Sequence, residues 1–187
     1  MLLHIKNMVC DRCILVVRQQ LEQAGFQVAD IDLGTATIAP EPTVEQLQHL
    51  KSSLNTLGFD LLDDEKTRLI ERVKNIVIEL IHHSDMLQEH VHIPELLADR
   101  LFKEYSYISR VFSEQEGNTL EKFIIQQKIE RAKALLHEGE LNLNEIAWKL
   151  GYSSSSHLST QFKTVTGHSP RAFKMSDEKQ RKALDKI

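Results

Sequence analysis

Cysteine, proline and tryptophan are scarce in this 187-residue chain, with two, four and one copies respectively. So few thiols exclude the dense disulfide framework of small secreted domains. Long apolar runs are missing too: none approaches the roughly 20 residues needed to span a bilayer. The opening stretch MLLHIKNMVC lacks a signal-peptide pattern. The expectation is a cytoplasmic protein with no membrane association. Catalytic constellations are also wanting. There is no P-loop and no His-Glu-x-x-His, and the run Ser153 to Ser156, although followed by His157, has no Ser-His-Asp context. The chain is not read as an enzyme. Excess positive charge is absent as well, the net charge being −4, but the imbalance is uneven. Residues 1–90 carry 8 Lys+Arg against 14 Asp+Glu, whereas residues 91–187 carry 15 against 13. The second half is the more basic one, too weakly for bulk charge alone to argue for a nucleic-acid partner.

What is present is organised around Leu141 to Phe173. Asn142 caps a helix whose Glu145 completes a capping box, with Leu143, Ile146, Ala147 and Leu150 on one face. Gly151 ends it in a sharp turn and Tyr152 packs back into the joint. Ser153 is read as the cap of a second helix, with Leu158, Phe162 and Val165 inward and Ser155, Ser156, Ser159 and Thr160 outward. Small hydroxyl side chains at a helix start suit a major groove, where they can meet base edges and phosphates. Gly167 closes this helix, and Ser169-Pro170 opens another with a cap and a first-turn proline.

The residues Ile146-Ala147, Leu150-Gly151-Tyr152, Leu158-Ser159, Phe162-Lys163, Gly167, Ser169-Pro170 and Phe173 resemble the signature of the AraC/XylS-type transcription regulators. A second copy lies about fifty residues earlier in Leu97-Ala98, Leu101, Ile108-Ser109, Phe112, Gly117, Thr119 and Phe123. In that copy Phe102 takes the slot of Gly151, and the turn Lys103-Glu104-Tyr105 is one residue shorter. Pro94 opens its first helix, Ser106 is read as the cap of its reading helix, and Tyr107, Ser109 and Arg110 face outward. The resemblance implies double-stranded DNA as partner. Base reading is expected of Ser106, Tyr107, Ser109, Arg110, Ser155, Ser156, Ser159 and Thr160, and phosphate contact of Thr119, Lys128, Arg131, Lys163, Ser169 and Arg171. Arg110 is the strongest single candidate, since a guanidinium can pair bidentately with guanine. Its alternative role is a phosphate clamp or a surface ion pair. By the same resemblance, the helix Thr119 to Leu136 holds the two reading helices in successive major grooves, about 34 Å apart.

The first third of the chain reads differently. A short strand at Leu2 to Lys6 precedes a helix from Cys13 to Gln23 closed by Gly25. Strands at Phe26 to Leu33 and Thr35 to Ala39 turn at Gly34. A second helix is boxed by Thr43 and Gln46, with a stripe of Val44, Leu47, Leu50, Leu54 and Leu57, and a last strand runs from Phe59 to Leu62. The order βαββαβ predicts an α+β, ferredoxin-like domain. Within it Asn7-Met8-Val9-Cys10-Asp11-Arg12-Cys13 is similar to the metal-binding loop of heavy-metal-associated domains, with Asn7 in place of their usual glycine and Val9 in place of threonine. Two thiolates can hold a linear Cu(I) or another soft ion, and Cys13 at a helix start is expected to have a lowered pKa. A thiol redox pair, a zinc site shared between subunits and a loop of purely structural use remain open beside that reading.

Asp63-Asp64-Glu65 starts a connecting helix with a wide stripe of Leu69, Ile70, Val73, Ile76, Val77, Leu80 and Ile81. That stripe either packs within the chain or forms a homodimer through Leu69 to Ile81. His82, His83, His90 and His92 are read as solvated or helix-capping, because no further ligand completes a metal set there. The expected organisation is a ferredoxin-like domain over 1–63, a connecting helix over 64–90, an all-α double helix-turn-helix domain over 91–175 and a tail over 176–187. The functional expectation is a sequence-specific transcription regulator responsive to a soft metal or thiol ligand at Cys10 and Cys13, with ion binding altering how the small domain rests on the connecting helix. The alternatives are a metal-handling or interaction module merely tethered to DNA, and a thiol-disulfide enzyme.

Overall fold

The computed structural model describes residues 1–84, 91–175 and 182–184. Its elements run β1 (Leu2–Lys6), α1 (Asp11–Gln23), β2 (Gln27–Asp32), β3 (Thr35–Ala39), α2 (Val44–Thr56), β4 (Asp60–Leu61), α3 (Glu65–Ile78), a π-helical turn (Glu79–His83), α4 (Ile93–Leu101), α5 (Tyr105–Glu116), α6 (Leu120–Glu138), α7 (Leu143–Lys149), α8 (Ser155–Thr166) and α9 (Pro170–Met175). Two compact units emerge, Met1–Asn75 and Ile76–Ile187, so the division falls inside α3.

In the first unit the alternation of Leu3 and Ile5 on β1 with Ala36 and Ile38 on β3 gives a small sheet one apolar face. Strand order is β2-β3-β1-β4 with antiparallel pairing throughout, Leu3 opposite Ala36 and Ile5 opposite Leu61. Val17 and Leu21 of α1 and Leu50 and Leu54 of α2 bury against that face. Thr43 and Gln46 form the expected reciprocal box at the start of α2. Val44 does not join the apolar stripe. It lies at the first helical position and is exposed, as is Leu57 past the helix end.

Helix α3 begins where its acidic start predicts. Asp64 accepts hydrogen bonds from the Thr67 amide and hydroxyl at 2.8 and 2.9 Å, and these hold its carboxyl below the usual range. Leu69, Ile70, Val73, Val77, Leu80 and Ile81 are buried within the single chain. The helix passes into a π turn after Ile78, and part of the expected connecting helix, residues 85–90, lies outside the described residues together with His90. His82 does not face solvent as a free cap: its Nε2 lies 2.9 Å from Oε1 of the buried Gln127 on α6.

The second unit is built from two near-copies of one motif. Ile108 and Leu158 are fully buried, Gly117 and Gly167 close α5 and α8, and Thr119 and Ser169 follow them. Phe112 meets Phe123 and Phe162 meets Phe173, each pair with ring centroids 5.4 Å apart. Helix α6 buries Phe123, Ile129, Ala132 and Leu135 between the copies.

Several local expectations are corrected here. Helix α4 starts at Ile93 with Pro94 in its second position. The cap of α8 is Ser154, not Ser153: its hydroxyl accepts from the His157 amide at 3.1 Å. The cap position of α5 is Glu104, not Ser106, because the shorter turn brings the helix start forward to Tyr105. Val165 is exposed, one step round from the buried Phe162 face. Among the described residues no helix is long and apolar enough to cross a membrane.

Candidate nucleic-acid interface

The turn between the helices of each copy sets how the reading helix is presented. Gly151 has φ of +68° and Phe102 has φ of +52°, so the same left-handed step occurs in both. In an L-residue with a bulky side chain that step is strained. The Phe102 ring gains no burial in return, being 92% exposed. One residue on, the amides of Tyr152 and Lys103 return to the carbonyls of Ala147 and Ala98 at 2.9 and 3.3 Å. Tyr152 is buried in the joint as expected.

On α8 the outward residues share one chemistry. Ser159 donates to the Ser155 carbonyl at 2.8 Å and Thr160 to the Ser156 carbonyl at 3.0 Å. With their protons committed to the helix, these oxygens face outward as acceptors. Ser156 and Thr160 are exposed, and Ser155 and Ser159 half-buried. His157 also stands exposed on this first turn. Its Nδ1 lies 3.3 Å from the Ser153 hydroxyl and its ring meets Tyr152 edge-on at 5.2 Å.

The face of α5 differs. Tyr105 donates to Glu121 at 2.8 Å and Ser109 approaches the same oxygen at 3.5 Å. Burial and this carboxylate push the Tyr105 hydroxyl pKa upward, while the Glu121 carboxyl is lowered by its own amide and by Tyr105. Arg110 pairs with Glu114 at 2.9 Å and its guanidinium lies 5.5 Å from the Tyr107 ring centre. An exposed pair at this helical spacing is worth only about 0.3–0.5 kcal/mol. A bidentate guanine contact, at roughly 1–3 kcal/mol, would outbid it. Ser106 and Tyr107 are exposed beside it.

The residues expected at phosphates fall into three groups. Thr119 caps α6, accepting from the Lys122 amide at 3.2 Å, and Ser169 accepts from the Ala172 amide at 3.1 Å. A hydroxyl whose oxygen caps a helix still has a proton to donate. Lys163 and Arg171 are exposed cations, whereas Arg131 is partly covered and 3.8 Å from Glu138. Lys128 is half-buried: its ammonium lies 5.1 Å from the Tyr152 ring centre, and burial lowers its pKa to about 8.

In the first unit Cys10 occupies the position before α1 and Cys13 its first turn, with the sulfurs 3.3 Å apart and both residues half-buried. Burial raises the Cys13 thiol pKa, against the lowering expected from its place at a helix start. Two soft donors side by side suit a two-coordinate soft ion in chemical type. Among the described residues no group of three or more His, Cys, Asp or Glu is placed to hold a metal, so a four-ligand zinc site is not assembled within them.

Residues 97–176 match the protein family described as "Helix-turn-helix domain". The chain is 26% identical over 165 residues to the probable transcriptional regulator LumQ of Photobacterium leiognathi, covering 82% of this chain and 64% of that one. It is 29% identical over 159 residues to the transcriptional activator RhaS of Escherichia coli, covering 83% and 52%. The C-terminal domain of AraT, a response regulator from Geobacillus stearothermophilus, has the same fold over 62% of this chain and 93% of its own, with a TM-score of 0.50 and 24% identity. The chain thus spans between about half and two thirds of the length of these curated relatives. Residues 97–176, within the second unit, thus carry a helix-turn-helix domain, and both curated relatives are named as transcription regulators.

Proposed function

We propose that this chain is a cytoplasmic, sequence-specific DNA-binding transcription regulator whose second unit reads duplex DNA with α5 and α8, and whose first unit responds to a soft metal ion at Cys10 and Cys13. The observation that carries the DNA reading is the duplication itself: two copies of one turn and one aromatic pair, each presenting the exposed start of a helix. In this arrangement the N-terminal turns of the reading helices meet base edges. The acceptor oxygens of Ser159 and Thr160 favour amino groups of adenine or cytosine, Ser155 and Ser156 can donate or accept beside them, and Arg110 favours guanine. Thr119, Lys163, Ser169 and Arg171 supply the sequence-independent contacts, with Arg131 at the edge of the set.

The antiparallel order β2-β3-β1-β4 under two helices supports the ferredoxin-like reading of the first unit. The adjacent thiols support the soft-ion reading. Both would be tested together by selecting bound duplexes from a random pool with and without one equivalent of Cu(I). The expected result is a defined site whose occupancy changes with the ion in wild type and not in Cys10→Ser/Cys13→Ser. A defined site with no ion effect would leave a DNA-binding protein with a metal-handling module attached. No preference for any duplex would end the reading altogether.

A further inference from the structure

Asn7 stands where loops of this kind usually have glycine, and its backbone shows why a permissive residue is needed: φ is +69°. Asparagine tolerates that conformation better than other side chains. Unlike glycine, it also makes a contact with its side chain, the Nδ2 group donating to the Gly58 carbonyl at 2.8 Å in the turn before β4. The Asn7 amide points to Oε2 of Glu71 on α3 at 3.5 Å. Glu71 is only 5% exposed, and its other oxygen accepts from Lys74 at 3.3 Å.

Glu71 belongs to a polar stripe of α3 with Arg68 and Asn75, spaced three and four residues apart on one face. Arg68 Nε donates to the Leu62 carbonyl at 2.9 Å and Asn75 Nδ2 to the Leu33 carbonyl at 3.1 Å. A Cβ on Gly34 would run into that Asn75 amide, so the turn is fitted to the helix. Helix α3 is thus fastened to the end of β4, to the β2–β3 turn and to the base of the thiol loop. The last tie is the longest, hence the easiest to change.

A soft ion held by both sulfurs, which lie 3.3 Å apart, would replace their direct contact. Cys13 sits in the first turn of α1, which Val17 and Leu21 anchor in the core, whereas Cys10 ends the loop that leads into the helix, so the loop is the freer of the two partners. Buried Met8 leaves Asn7 as the hinge at the other end of that loop.

We propose that Asn7 and Glu71 are positioning residues through which loading of Cys10 and Cys13 is transmitted to α3, the helix that carries the chain from the first unit into the second. This rests on the soft-ion reading of the two cysteines. The test uses the full chain with Cu(I) as the probe: uptake is measured against a competing chelator, and amide hydrogen exchange is followed along residues 65–78. In wild type, one equivalent of Cu(I) should change exchange of the α3 amides around Glu71 several-fold. Glu71→Ala should take up the same amount of Cu(I) and lose that response. Glu71→Gln keeps the shape of the side chain, removes the charge that faces the Asn7 amide and should weaken the response; it carries the test if the first variant misfolds. Exchange in α3 that ignores bound Cu(I), or a full response in both variants, overturns the proposal. Failure of wild type to take up Cu(I) overturns the soft-ion reading itself, and the transmission with it.

Discussion

The two helix-turn-helix copies have the same skeleton and opposite outer chemistry. In the second, a glycine makes the left-handed step, an aromatic residue fills the joint, and the reading helix offers hydroxyl oxygens. In the first, Phe102 makes the same step under strain, Lys103 replaces the aromatic residue, and the reading helix is lined with carboxylate partners. Backbone geometry and core register are therefore what duplication has kept, while exposed positions have diverged. Burial constrains volume and spacing at Phe112 and Phe162, and nothing comparable constrains Arg110 and Thr160.

The strongest way to break this comparison is in the shared core. Phe112→Ala and Phe162→Ala should each cost about 3–5 kcal/mol in urea unfolding. Markedly unequal losses would mean that the two copies are not structural equivalents. Next comes the outer face: Arg110→Ala should relax preference at one base position by roughly 1–3 kcal/mol. Lys163→Ala should weaken all sequences alike and reduce the salt slope by about one unit. Identical loss profiles for the two variants would argue that Arg110 is only a phosphate clamp.

A third prediction concerns the cation that covers the joint of the second copy alone. The folded-state pKa of Lys128, about 8, lies below the ordinary lysine value of about 10.4. Between those two pH values the unfolded chain binds more protons, so stability should rise as pH increases across that window. Lys128→Met should abolish the slope and stabilise the protein at neutral pH by on the order of 1 kcal/mol, allowing for partial exposure. A slope unchanged in the variant would show that other groups carry it. The smallest effect is at the turn. Phe102→Gly should stabilise by roughly 0.5–1 kcal/mol, the relief of left-handed strain less the backbone entropy of glycine. Thermal unfolding measures it, and a destabilised variant would mean that the exposed ring has a partner.

Much of this architecture was legible in the sequence because it is local. The boxes at Thr43/Gln46 and Asn142/Glu145 and the glycine stops at Gly117 and Gly167 depend on neighbours within four residues. The fifty-residue repeat was legible because buried spacing survives in both copies. Cap positions slipped by a residue or two at Ser106 and Ser153, where a run of hydroxyl residues or a shortened turn offers several starts of similar quality.

The sequence by itself determined the order of elements, the doubling of the reading motif and the adjacency of Cys10 and Cys13, all of which follow from periodicity and short-range turn chemistry. Only the tertiary structure decided which polar groups are spoken for. Tyr105 and Glu121 are sixteen residues apart, Lys128 and Tyr152 twenty-four, and Asn7 and Glu71 sixty-four, yet each pair meets. The energy of a charge or a hydroxyl depends on the atoms packed around it, and those are brought together by the fold, not by neighbours along the chain.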